Sequence, residues 1–187
     1  MRKQREILRH VADVSCRRRE MTNIPSAFIG PSLYKLGYVT NDLDRAIRYF
    51  EEQLGFEEFV GFEPKFAAQQ ADGTSADAHL RCAFSKGRSN VVELMEPYEG
   101  RVDLWRGPLD GLSEFAVRFH HVGHVTDDLP AVRESFAAKG LEPVLWAESP
   151  VFAFAYFPVP AAAHYIEHIQ YFGEGGAFLA GVREPKY

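Results

Sequence analysis

Cysteine is nearly absent from this chain: Cys16 and Cys82 are the only two among 187 residues. Two thiols cannot build a disulfide framework, so a packed core has to hold the fold, and a reducing cytoplasm is the expected compartment. Long apolar runs are missing as well. No stretch reaches the roughly 20 residues that cross a bilayer, and the N-terminus lacks the apolar centre of a secretory signal. A soluble protein with no membrane partner is expected. There is no phosphate-cradling glycine loop and no serine or cysteine nucleophile signature. What is present is ordinary for a globular protein, 46% apolar and 25% charged residues, which sets aside disordered and fibrous classes.

Basic charge is scarce outside the first twenty residues. That head holds seven basic groups against three acidic ones, and the other 167 residues hold 14 against 23, a net charge near −9. An acidic body argues against a nucleic-acid partner. The head can be drawn as a short amphipathic helix with Ile7, Leu8, Val11 and Val14 on one side, or as an extension upstream of a start at Met21.

The chain repeats itself. "LGYVTNDLDRAIRYFEEQLGFEEF" from Leu36 and "VGHVTDDLPAVRESFAAKGLEPV" from Val122 share a glycine, Val-Thr, an Asn/Asp-Asp-Leu corner and a helix with Phe50 or Phe136 at matching places, offset by 86 residues at Asp42 and Asp128. Each copy reads as a strand, a corner capped by Asn41 or Asp127, a helix ending at Gly55 or Gly140, and three further strands. The expected fold is α+β, with two tandem βαβββ modules forming a curled mixed sheet around a cavity. The boundaries are an extension at 1–32, modules at 33–98 and 119–172, a linker at 99–118 and a glycine-rich surface tail at 173–187. Gln69 to Ala78 reads as a long flexible loop.

Strand parity divides the histidines. His121 shares a face with Gly123 and Val125, and His120 and His124 take the other; Glu167 shares its face with Tyr165 and Ile169, away from His164 and His168. Alternating Phe152, Phe154 and Tyr156, with Phe62 and Phe66, are core or cavity wall.

The stretches "VTNDLDRAIRYFEEQLGF", "NVVELMEP", "HHVGHVTDDLPAVRESFAAKGLEPV" and "YFPVPAAAHYIEHIQY" resemble the vicinal oxygen chelate superfamily, the glyoxalase, dioxygenase and bleomycin-resistance group. The resemblance is nearest to the methylmalonyl-CoA epimerase and glyoxalase-like branch. It implies metal ligands on the first and last strands of each module. The matching positions are Glu93, His121 and Glu167, and the fourth falls on Lys35. A protonated lysine cannot ligate. Two outcomes are therefore open. Glu93, His121 and Glu167 hold a divalent Zn, Mn, Co, Ni or Fe, or the Lys35 ammonium stands in for the cation between the two glutamates.

By the same resemblance Glu167 is the candidate general base, with His79 a second candidate at the start of a strand. Lys35 and Tyr165 are the candidate substrate contacts. The implied function is a glyoxalase- or epimerase-like lyase or isomerase acting on a carbonyl-containing, apolar or aromatic small molecule, as a homodimer. The alternatives are a non-catalytic drug-sequestering protein and a ring-cleaving dioxygenase, the latter usually needing two histidines and one carboxylate.

Overall fold

The structure is a computed structural model that describes residues 33–86 and 91–183; the basic head and the Met21 start lie outside the described residues. In chain order the elements are β1 (Leu33–Thr40), α1 (Leu43–Leu54), β2 (Phe59–Phe62), β3 (Lys65–Gln70), β4 (Ser75–Ser85), β5 (Val91–Gly100), α2 (Asp103–Arg106), β6 (Val117–Val125), α3 (Leu129–Ala137), β7 (Leu145–Glu148), β8 (Phe152–Val159), β9 (His164–Tyr171) and α4 (Gly173–Arg183). Single 3-10 turns follow α2 and β8. No described helix is long and apolar enough to cross a membrane.

Polar corners decide where strand gives way to helix. Asp42 caps α1, its carboxylate accepting from the Arg45 N–H at 2.9 Å, and Asp128 caps α3 by accepting from the Ala131 N–H at the same distance. Each cap is one residue later than the sequence suggests. Asn41 is engaged elsewhere: its amide donates to the Glu114 carbonyl and accepts from the Ala116 N–H, tying the end of β1 to the approach to β6. Gly55 closes α1 at φ 70°, a left-handed conformation that suits glycine.

The sheet curls until it meets itself. β4 pairs with β5, then β1, β6, β9, β8, β7 and β3 follow in turn, and β3 returns to β4. The β1–β5 and β6–β9 pairs are parallel and the rest antiparallel, which makes the sheet mixed. β2 continues along β4 beyond β3, separated from it at Glu63 and Pro64, where proline cannot donate to a ladder. The helices α1 and α3 cover the outside. Leu43, Ala46 and Phe50 of α1 rest on Ala83, Val92 and Leu94, and Phe136 of α3 packs on Phe157 at a ring distance of 4.1 Å.

Two segments differ from expectation. Gln69 to Ala78 is a tight hairpin rather than a loop: Gln70 and Thr74 are hydrogen-bonded across it, Gly73 turns at φ 81°, and Asp72 accepts from Thr74. The tail from residue 173 is helical through Arg183. Glycine makes it a poor helix by propensity, but burial of Leu179 and Val182 and packing of Phe178 on Phe62 and Phe84 outweigh that cost.

The cap assignment makes neighbouring aspartates distinguishable. Asp128→Ala should lower the unfolding free energy by about 1 kcal/mol, whereas Asp127→Ala should stay within about 0.5 kcal/mol of the parent. Urea midpoints measured at constant m-value check both.

Candidate active site

Two glycines bring the site together. In the register of the central strands, Gly37 of β1 lies between Glu93 of β5 and His121 of β6, and Gly123 of β6 lies between Lys35 of β1 and Glu167 of β9. A methyl group on Gly37 would overlap the His121 ring, and one on Gly123 would overlap the Lys35 side chain. Each long side chain crosses the other strand at the one residue with no side chain of its own.

Lys35 thereby reaches the middle. Its Nζ is 2.7 Å from Glu93 Oε2 and 2.8 Å from Glu167 Oε2, with all three side chains almost fully buried. Burial alone would depress the ammonium, but Glu167 and Glu93 outweigh it and hold the Lys35 pKa well above the ordinary lysine value. His121 Nε2 is 3.3 Å from Glu93 Oε2 and 3.8 Å from Glu167 Oε2. Burial lowers the His121 pKa to about 3 in spite of Glu167, so this imidazole is neutral and neither contact is an ion pair.

The tautomer of His121 follows from its neighbour. His120 Nε2 lies 3.2 Å from the Leu104 carbonyl, which only accepts, so the proton is on that nitrogen. Burial, with His121 beside it, keeps His120 neutral and leaves its Nδ1 bare. That atom is 3.0 Å from His121 Nδ1, which must donate. The Nε2 lone pair of His121 is therefore turned toward the carboxylates and the ammonium.

His120 reaches this position through a β-bulge, and this corrects the strand-parity reading. Register passes from Gly37–His121 to Tyr38–Phe119, which leaves His120 as an extra residue that faces inward, against Trp105, Tyr156 and Tyr165. A matching irregularity at Tyr34 brings it beside Lys35, its hydroxyl 2.7 Å from that of Tyr171. Parity holds for His124 and His168, which stack on each other outside the ring, with His168 beside Phe136 of α3.

Above this floor is a cavity of about 400 Å³. Its walls include Phe66, Phe84, Trp105, Phe152, Phe154, Tyr156 and Phe178, and Glu63 and Glu174 stand at its exposed rim. Burial raises the pKa of Tyr156, Tyr34 and Tyr171, which remain phenols, and that of Cys82, which remains an unreactive thiol. A larger surface depression beside α3, lined by Arg133, Glu142 and Glu148, shares no residue with this floor.

Of the residues singled out from sequence, Lys35, Glu93, His121 and Glu167 meet. Tyr165 lies beside them, half-buried, its ring 5.0 Å from that of His120. His79 does not join them. It is on the other face of β4 from Leu80 and Cys82, 3.3 Å from Glu63 and edge-on to Tyr98. Nor do the residues fit a divalent ion. Glu93, His121 and Glu167 surround a point at which the Lys35 ammonium already stands, and no group of three His, Cys, Asp or Glu side chains among the described residues is arranged to hold a metal. Sequence reasoning missed His120, Trp105 and the rim glutamates. The Tyr34-Lys35 and His120-His121 doublets at equivalent places are the one signal that pointed to paired bulges.

A closed strand ring around an apolar cavity with a few convergent polar groups has the ordinary form of a small-molecule pocket. The chain belongs to the Glyoxalase/Bleomycin resistance protein/Dioxygenase superfamily, whose family model matches residues 34–155. Solved structures similar to it include methylmalonyl-CoA epimerase from Mycobacterium tuberculosis, 17% identical with a TM-score of 0.51 over 78% of this chain and 91% of that one. Another is a variant of the Streptomyces coelicolor methylmalonyl-CoA epimerase in complex with 2-nitronate-propionyl-CoA, 14% identical with a TM-score of 0.50 over 76% and 98%. At these identities the likeness is one of fold. No curated protein matches the chain by sequence.

The buried neutral histidines predict acid sensitivity. Burial lowers His120 and His121, and it also lowers His168, to about 4, with His124 adding to the effect. The unfolded chain therefore binds protons the folded chain refuses. Stability should fall as pH drops below about 6.5, by about 1.4 kcal/mol per pH unit for each such group, and the loss from His168 should end near pH 4. Urea unfolding between pH 7 and 4.5 should show uptake of more than one proton, and His168→Gln should reduce it.

Proposed function

We infer that the cavity is an active site of the glyoxalase and epimerase type, in which a carbonyl compound loses the proton on the carbon next to its carbonyl and passes through an enediolate. The observation that carries this reading is the Lys35 ammonium, held 2.7 and 2.8 Å from two buried carboxylates at the floor of an aromatic cavity. The epimerases among its structural relatives support the same type of chemistry.

Glu167 takes the proton and becomes a neutral acid. The enediolate oxygen takes its place beside Lys35, so the floor holds one positive and two negative charges before and after the transfer. No new buried charge is created in the step, and the ammonium is already oriented when the oxygen charge develops. Return of the proton from Glu167 to the same carbon, after the enediolate has turned its other face to that residue, gives epimerisation, and return to the neighbouring carbon gives isomerisation. His121 and Tyr165 lie behind the lining residues, His121 beside Glu93 and Tyr165 against His120, and in this reading they support the floor without touching the substrate. His79, on the other face of β4, has no part in this reading. The chain is read as a tandem pair of βαβββ modules, each giving one first-strand and one last-strand side chain to the floor.

Exchange of acidic C–H protons into deuterium oxide, followed by proton NMR over a panel of aromatic ketones and α-hydroxy ketones, tests this directly. Exchange should persist in the presence of a chelator and fall by about 10²–10⁴ in Glu167→Gln. Exchange that survives that substitution, or that requires an added divalent ion, contradicts the reading.

A further inference from the structure

The charges around the cavity select among the carbonyl compounds that the proposed function allows. We propose that the ligand is an aromatic carbonyl compound carrying no negative charge, with a cationic group favoured toward the rim, and that acyl-CoA thioesters and other anions are turned away. The inference rests on the proposed function only in placing the carbonyl at Lys35.

Three features support it. Among the described residues that line the cavity Lys35 is the one cation, and its two close contacts are already carboxylates. A carboxylate or phosphate entering the cavity must compete with Glu93 and Glu167 for that ammonium and sit against their charge while partly stripped of water, so like-charge repulsion is at its strongest there. The nearby guanidinium of Arg81 is not among the lining residues and is bound to Glu96 at 2.6 Å.

The rim adds to this. Glu63 and Glu174 stand at the opening. Glu63 lies 3.3 Å from the His79 ring and is partly offset by Arg81 at 3.9 Å, whereas Glu174 has no ion-pair partner among the described residues. Between rim and floor the walls are aromatic. The Lys35 ammonium already lies over the Phe84 ring, 5.4 Å from its centroid, and aromatic walls of this kind accept a cation better than an anion. Floor, walls and rim thus favour the same sign of ligand, and among the described residues none of them supplies the cations that the phosphates of coenzyme A would need.

Isothermal titration calorimetry of the full chain at fixed ionic strength, with three para-substituted acetophenones of different charge, tests the sign. The ligands are para-acetylphenyl-trimethylammonium, para-methylacetophenone and para-acetylbenzoate, with propionyl-CoA as the fourth probe. The cation and the neutral ketone should bind, and the benzoate and propionyl-CoA should bind at least about tenfold more weakly. Glu174→Gln should narrow the ratio of cation to benzoate by about two- to fivefold, the range of an exposed charge. Equal or tighter binding of the benzoate or of propionyl-CoA overturns the inference, and so does failure of both the cation and the neutral ketone to bind. The two readings fail separately. The expected order without proton exchange removes the proposed reaction and leaves the charge selectivity standing; proton exchange on a CoA thioester does the reverse.

Discussion

A lysine ammonium held between two buried glutamates is the interaction on which the rest of this structure depends. Each of the three ions would be costly inside the ring by itself. Together they leave one uncompensated negative charge, which ligand binding has to accommodate. Removing a single partner from such a set strands the others, at a cost of about 3–5 kcal/mol. The arrangement is possible because β1 and β6 run side by side with glycines at reciprocal positions, so that Lys35 and His121 can each lie across the other strand.

The ring serves that floor. Parallel pairing of β1 with β5 and of β6 with β9 brings Glu93 and Glu167 to the same level as Gly37 and Gly123. The helices outside take up the apolar faces that would otherwise meet water. The interior is left for aromatic side chains and for the cavity, where few waters compete and each electrostatic contact counts for more. The second bulge adds a tautomer lock: His120 passes the polarity of the Leu104 carbonyl inward to His121, fixing an acceptor where a mobile ring could present either nitrogen.

Much of this was legible in the sequence because two stretches, from Leu36 and from Val122, follow one residue pattern. The resemblance marked Lys35, Glu93, His121 and Glu167 as matching first- and last-strand positions, and period-two spacing separated Glu167 from His164 and His168. Local rules lost their hold where tertiary contacts overrode them. A bulge breaks the period of two, so His120 turned inward against the parity reading. Asn41 was drawn into a cross-strand contact and Asp42 took the cap. The Asp72-Gly73 turn was read as a loop because turn residues look alike in a hairpin and in a long connection. The glycines of α4 hid a helix whose stability comes from the ring it packs on. His79 stands where a base was sought, yet parity places it on the far side of the strand that carries Cys82 to the cavity.

The central claim is that Lys35 fills the place of a metal ion, and one substitution addresses it. Lys35→His restores a neutral ligand at that position while Glu93, His121 and Glu167 remain. Native mass spectrometry of both proteins after dialysis against zinc or manganese gives the stoichiometry directly. The account predicts no stoichiometric ion in the parent and one equivalent in Lys35→His. One equivalent bound by the parent, lost in Glu93→Gln or Glu167→Gln, would contradict it.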